Sequence, residues 1–302
     1  MRLIKAEFGY YPAPIDFTSG DLTVATLPGL DAAVSVVESS PTRDGKWIYP
    51  GLMMTSGLDG RMQALPYSHR IFQMPQTHVI SGDETLGPDR LEFLVWAMSF
   101  FTGMRLTTTE AGFVDATPVR PGVLVDFTLT GPLAGGLALA DEFWRANLGE
   151  PLRAKRWAAA VHALFLAAGP QNLQFEKFTY LYAALDACYR LTLDLTPGAK
   201  SVFHSERMAW MCDRFGMPTP KWAAKQATGS VEVAKIRNAV VHEALFMGQP
   251  LGFALHGVGT STNLTLEMEA LVCRLLVALL GAPTTDFVRS PVNTRQIHGL
   301  TL

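Results

Sequence analysis

From about residue 150 to residue 282 the chain repeats one pattern. Apolar side chains recur at helical spacing, and glycine or proline closes each run. The clearest run is residues 174–193, where Phe178, Leu181, Tyr182, Leu185, Cys188, Tyr189 and Thr192 fall at i, i+3, i+4 and i+7. A stripe that wide must be buried against other helices. Segments 137–147, 152–168, 204–215 and 264–280 show the same spacing and end near Gly149, Gly169-Pro170, Gly216 and Gly281. Short connections between such segments predict a helical bundle over residues 137–282. Residues 283–302 then read as an extended tail.

The first half follows another rule. Residues 3–8, 22–27, 33–38, 47–54 and 77–80 are short runs of β-branched, aromatic or other apolar residues between Gly, Pro, Ser and Asp, and they predict strands. Pro50 limits the fourth to an edge or a bulge. A helix begins at Pro88, with Leu91, Leu94, Val95, Met98 and Phe101 as its apolar stripe and Gly103 as its stop. Residues 105–109 and 123–129 add strands. The fold class expected is α+β: a strand-rich mixed domain over residues 1–131, read as recognition or regulatory, a linker at Gly131-Pro132 and Gly135-Gly136, then the bundle.

Chemistry concentrates in the second half. Residues 1–150 carry 10 basic and 17 acidic side chains, and residues 151–302 carry 15 and 10. The later half therefore tolerates a polyanion better. There, Lys235-Ile236-Arg237-Asn238-Ala239-Val240-Val241-His242-Glu243 reads as part of one helix, with Ser230 as N-cap, Glu232 in the first turn and a stop at Gly248 and Pro250. At about 100° per residue, Asn238 and His242 lie about 40° apart, one turn above the other, and Arg237 stands about 100° from Asn238. Arginine grips phosphate through a fixed fork of donors. Histidine exchanges a proton near neutral pH. Asn238 can hold the ring or a phosphate oxygen, and Lys235 adds charge for RNA. Glu176 and Asp186 flank the stripe of the earlier helix. Either can pair with Arg237 and orient it; Asp186 can equally pair with Arg190, four residues on.

The sequence Arg237-Asn238-x-x-x-His242 resembles the signature of the HEPN superfamily. With Phe178-Thr179-Tyr180-Leu181-Tyr182-Ala183-Ala184-Leu185-Asp186 on an earlier helix, residues 150–282 look like the HEPN domain of ApeA-type phage-defence proteins. The resemblance implies a metal-independent endoribonuclease acting on single-stranded RNA, with Arg237, Asn238 and His242 catalytic and no cofactor. It also implies a homodimer whose cleft lies between two motif helices, and a defence or toxin-like stress role. Two other readings of the same residues stay open. One is a catalytically silent module that binds RNA or nucleotide. The other is a structural or protein-interaction role, in which Arg237 bridges to a neighbouring helix.

Other chemistries find no support in the sequence. Cys188, Cys212 and Cys273 are odd in number, widely spaced and set in apolar patterns, so they read as core residues. His69 and His78 have no second histidine at ligand spacing and read as surface or loop residues. Asp83, Glu84 and Asp89 read as a solvated loop and a helix start. No P-loop and no dinucleotide fingerprint is present. Arg153, Lys155 and Arg156 form a basic cluster, readable as an RNA contact, a solvated helix end or an interdomain contact. The N-terminal residues lack the apolar run of a signal peptide, and the longest apolar stretch, 271–280, is broken by Arg274. A cytoplasmic protein with no membrane segment is expected.

Overall fold

The computed structural model describes residues 3–245, 263–292 and 297–302. The chain mixes helices and strands and divides into two compact units, Met1–Leu124 with Gly136–Ala138, and Val125–Gly135 with Leu139–Leu302. Among the described residues, no helix is long and apolar enough to cross a membrane.

The first unit opens with β1 (Leu3–Gly9), β2 (Phe17–Ser19), β3 (Leu22–Thr26) and α1 (Leu30–Glu38). The short β4 (Arg43–Asp44) and β5 (Trp47–Ile48) follow, then β6 (Leu52–Ser56), β7 (Met62–Ser68), β8 (Ile71–Phe72) and β9 (Gln76–Asp83). The helix α2 (Pro88–Thr102) precedes β10 (Phe113–Val114) and β11 (Thr117–Pro118). The main sheet is antiparallel, in the order β1-β9-β3-β2, and α2 packs on β1 and β9. Phe8, Leu22, Val24 and Ile80 from the sheet, and Leu91, Leu94, Val95, Met98 and Phe101 from α2, are buried. Arg90 is buried among them and donates to both oxygens of Asp21, at 2.7 and 2.9 Å. It comes so close to Gly82 that a Cβ there would meet its Nη1 at 3.1 Å and Leu22 Cδ2 at 2.9 Å.

Several local expectations change here. Residues 33–38 are helical rather than extended: Gly29 turns the chain in the left-handed region, Asp31 sits in the first turn, and of the helix only Val37 is buried. Pro50 splits the expected strand 47–54 into β5 and β6. Residues 105–109 form no strand, only a bridge from Thr107 to Gly9. His78, read as a surface or loop residue, is fully buried. Its ring stacks on Phe8, with Nε2 at 3.1 Å from Ala13 O and Nδ1 at 2.9 Å from Thr77 Oγ1. Burial holds its pKa below the ordinary histidine value.

The second unit contains β12 (Phe127–Leu129), most of α3 (Leu133–Ala146), α4 (Pro151–Ala167), α5 (Gln174–Asp194), α6 (Arg207–Phe215), α7 (Glu232–Asn238), α8 (Leu264–Leu279), α9 (Asp286–Arg289) and β13 (His298–Leu300). The helices α4 and α5 pack along each other, and α8 packs on both. Trp157 is fully buried and donates its indole N–H to Leu276 O at 3.0 Å. The three cysteines are buried and free; burial pushes Cys188 and Cys212 up to about 12, and Cys273 well above its ordinary value.

The boundary differs from the expected one because β12 pairs in parallel with β13, so residues from Val125 onward, Gly136–Ala138 excepted, belong to the second unit. The expected linker glycines, Gly135 and Gly136, lie inside α3. A Cβ on Gly135 would come within 3.3 Å of Leu302 O, so close approach explains this glycine better than freedom does. The expected tail is packed: Phe287, Val288 and Leu300 are buried.

Arg274 ties these pieces together. It is 1% exposed and donates to Asp126 Oδ2 at 2.6 Å, Ala270 O at 2.8 Å, Ser290 O at 3.1 Å and Ser290 Oγ at 2.9 Å. Removing it leaves the half-buried Asp126 carboxylate without its cation. We expect Arg274→Met to lower unfolding free energy by about 3–5 kcal/mol in a denaturant titration. Glu269, one turn before Cys273 on α8, is held up to about 7 by burial and then by Asp126, with Lys177 opposing. The folded chain therefore keeps this proton while the unfolded chain loses it near 4.5. Stability should fall as pH rises between those two values, and Glu269→Gln should flatten that part of the pH–stability profile.

Candidate functional site

The motif segment begins with a loop rather than the expected cap. Ser230 Oγ bonds Thr228 Oγ1 at 2.8 Å and Gln226 Oε1 at 3.3 Å, inside a tight turn that needs Gly229 at φ +79°. Val231 is the N-cap of α7, one residue later than predicted, and its apolar side chain cannot cap. Glu232 lies in the first turn, as the sequence implied. Val231, Val233 and Ala234 are buried and seat the helix, while Ile236 and Val240 are half-buried.

The helix does not run on as an α-helix. From Ala239 to Glu243 it widens into a π turn, which ends at Ala244 with φ 53°. The Ala244 N–H reaches Ala239 O, and so does Leu245 N–H at 3.1 Å. A left-handed alanine costs roughly 1–2 kcal/mol, which the surrounding bonds must offset. The expected stop at Gly248 and Pro250 lies outside the described residues.

This widening decides which side chains meet. In an α-helix, residues five apart stand about 140° from one another. A π turn takes in one more residue and brings i and i+5 onto one face. Arg237 and His242 are such a pair. One nitrogen, Arg237 Nη1, lies 3.2 Å from His242 Nε2 and 3.1 Å from Asn238 Oδ1. A guanidinium only donates. His242 Nε2 must therefore be the acceptor, unprotonated, with the ring proton on Nδ1. Arg237 is half-buried, and Lys235, Asn238 and His242 are exposed. All four predicted residues thus share one segment; Arg237, Asn238 and His242 form one bonded cluster, and among the described residues Lys235 makes no side-chain hydrogen bond with it.

The two carboxylates do not join that cluster. Asp186 accepts from Arg207 Nη1 at 2.7 Å, not from Arg237 and not from Arg190. Arg207 approaches on α6, whose register the sequence could not supply, and its guanidinium lies 4.6 Å from the Tyr189 ring centroid. Glu176 Oε2 accepts the Leu173 N–H at 2.8 Å and caps the start of its own helix. Among the described residues, no carboxylate lies within ion-pair distance of Arg237. The basic cluster is also engaged: Arg153 donates to Asn147 Oδ1 and Asp194 O, and Arg156 pairs with the Asp194 carboxylate, at the end of α5.

Sequence reasoning counted Tyr182 only as core. Its ring is buried, but its hydroxyl has no hydrogen-bond partner among the described residues. Burial, then Asp186, pushes the phenol up to about 12, while Arg237 and Arg207 pull the other way. Tyr182 therefore lies within electrostatic reach of the motif arginine. The i, i+4 spacing of Tyr182 and Asp186 was the available signal. Among the described residues, no group of three or more His, Cys, Asp or Glu is placed to hold a metal ion.

The tautomer is directly measurable. Nitrogen NMR of the imidazole should show His242 with its neutral-state proton on Nδ1, and Arg237→Ala should shift it toward the Nε2–H form. No protein-family model, curated protein or solved structure matches this chain.

Proposed function

We propose that this chain is a metal-independent endoribonuclease of the HEPN type, with the second unit's helices as its bundle. One observation carries the reading: an exposed histidine sits with Nε2 3.2 Å from the guanidinium of an arginine that has no carboxylate partner among the described residues. Arg237 can meet a phosphodiester with a charge that stays on at any working pH. Lys235, on the same segment, adds a second cation for the RNA backbone.

The reaction follows from the groups present. When Arg237 turns to the phosphate, His242 Nε2 regains its lone pair and can accept the proton of the 2′-hydroxyl. The 2′-oxygen then bonds to phosphorus, and the bond from phosphorus to the 5′-oxygen breaks. DNA lacks the attacking hydroxyl. The leaving oxygen needs a proton from another acid. A homodimer supplies one, because a two-fold axis beside the motif brings a second His242 to the same cleft. Val241 and Leu245, 57% and 52% exposed on this segment, suit such a contact. A cytoplasmic role in phage defence or stress fits this chemistry, with the first unit as the element that recognises the trigger.

A second reading draws on the same contact. If Arg237 never leaves Nε2, the histidine has no lone pair to offer, and the segment only binds RNA or nucleotide.

The experiment is cleavage of single-stranded RNA by the full chain, with and without EDTA. We expect cleavage that EDTA leaves unchanged, and a loss of about 10²–10⁴-fold in His242→Ala with its circular dichroism intact. RNA affinity with a salt slope but no cleavage would favour the binding module. Neither binding nor cleavage would leave a structural role.

A further inference from the structure

Tyr182 stands on α5 one turn before Asp186, and its ring lies beside that of Phe178, with centroids 5.9 Å apart. The side chain is 7% exposed, and its hydroxyl is buried with no hydrogen-bond partner among the described residues. Buried polar groups are rarely left so, because nothing replaces the water bonds they give up.

The groups around this hydroxyl are charged. Asp186 accepts from Arg207 Nη1 at 2.7 Å, and the Arg207 guanidinium lies 4.6 Å from the Tyr189 ring centroid. Those two side chains hold each other. Arg237 is less committed. It follows the buried Val233 and Ala234 by four and three residues, so its stem leaves α7 on the buried face. Of its nitrogens, only Nη1 makes a hydrogen bond among the described residues, to Asn238 and His242. A guanidinium carries five N–H donors, so most of them remain for another acceptor. The Tyr182 phenol feels the charge of Arg237, which works against burial and Asp186 there. A hydroxyl oxygen offers lone pairs to such a cation, while its own proton can turn to Asp186.

We propose that Tyr182 is a positioning residue for Arg237: when the guanidinium leaves His242 Nε2, the Tyr182 hydroxyl accepts one of its N–H groups and holds it, so that the imidazole lone pair is free. This rests on the reading of Arg237 and His242 as one reactive pair. It supplies what that reading needs, a second resting place for the arginine. Phenylalanine at position 182 keeps the ring and removes only the acceptor, so Arg237 should then stay on His242.

The test is Tyr182→Phe in the full chain, followed by two measurements. Nitrogen NMR of the imidazole reports where Arg237 rests, whether or not the protein cuts RNA. The share of His242 with its proton on Nδ1 should rise above that of wild type. Adding Tyr182→Phe to Arg237→Ala should leave that share unchanged. The melting temperature should stay level or rise, because an unpaired buried hydroxyl has been removed. On single-stranded RNA, kcat should fall about tenfold with KM unchanged, the scale of one hydrogen bond to a charged group. In the Arg237→Ala background Tyr182→Phe should cost no further rate. A wild type that cuts no RNA, with the tautomer shift still present, would keep the positioning role and end the nuclease reading. A tautomer share that Tyr182→Phe leaves unchanged would overturn the proposal. So would a lower melting temperature with kcat intact, the mark of a purely structural hydroxyl.

Discussion

The contact between Arg237 and His242 exists because the motif helix stops being an α-helix at Ala239. Helical geometry alone would send these side chains to different sides. The π turn places them 3.2 Å apart, and the left-handed Ala244 ends the segment directly after it. A turn of this kind is less favourable than the helix it replaces. It persists because α7 is seated by Val231, Val233 and Ala234, while the widened turn stays at the surface, where its backbone can meet water. The reactive pair is thus a consequence of backbone geometry as much as of residue choice.

The surrounding charges leave that pair open. Asp186 could have neutralised Arg237, but Arg207 from α6 takes its carboxylate. Glu176 is fixed on the backbone of its own first turn. Arg153 and Arg156 are held at the end of α5. Each of these groups has a structural partner, and among the described residues Arg237 bonds only Asn238 and the imidazole. A half-buried guanidinium with so little compensation is a place where an anion is welcome. The Tyr182 hydroxyl, buried without a partner among the described residues in the field of Arg237 and Arg207, responds to where that guanidinium points.

Much of the second unit was legible because helical periodicity is a local signal. The run through Phe178, Tyr182, Cys188 and Tyr189 named both α5 and its buried face. The mixed α+β character of the chain followed from the change of period between its halves. Short strands carry less information. The run Ala33–Glu38 became a helix because Gly29 and Asp31 set up a helix start, and β7 was missed because Pro66 and Gln63 broke its apolar alternation. The parallel pairing of β12 with β13 joins residues about 170 apart, which no local pattern can announce. At the site, the composition of the cluster was readable, but its geometry was not. Sequence spacing paired Asn238 with His242, whereas the π turn pairs Arg237 with it. The partner of Asp186 depends on where α6 packs, a tertiary fact.

If Arg237 and His242 act as one unit on a phosphodiester, their contributions to rate cannot be independent. The direct measurement is a double-mutant cycle on single-stranded RNA cleavage with Arg237→Ala, His242→Ala and the pair. The account predicts that each single change removes most of the rate and that the double variant is no slower than the slower single one. Losses that multiply, or a single variant that cuts like wild type, would contradict it.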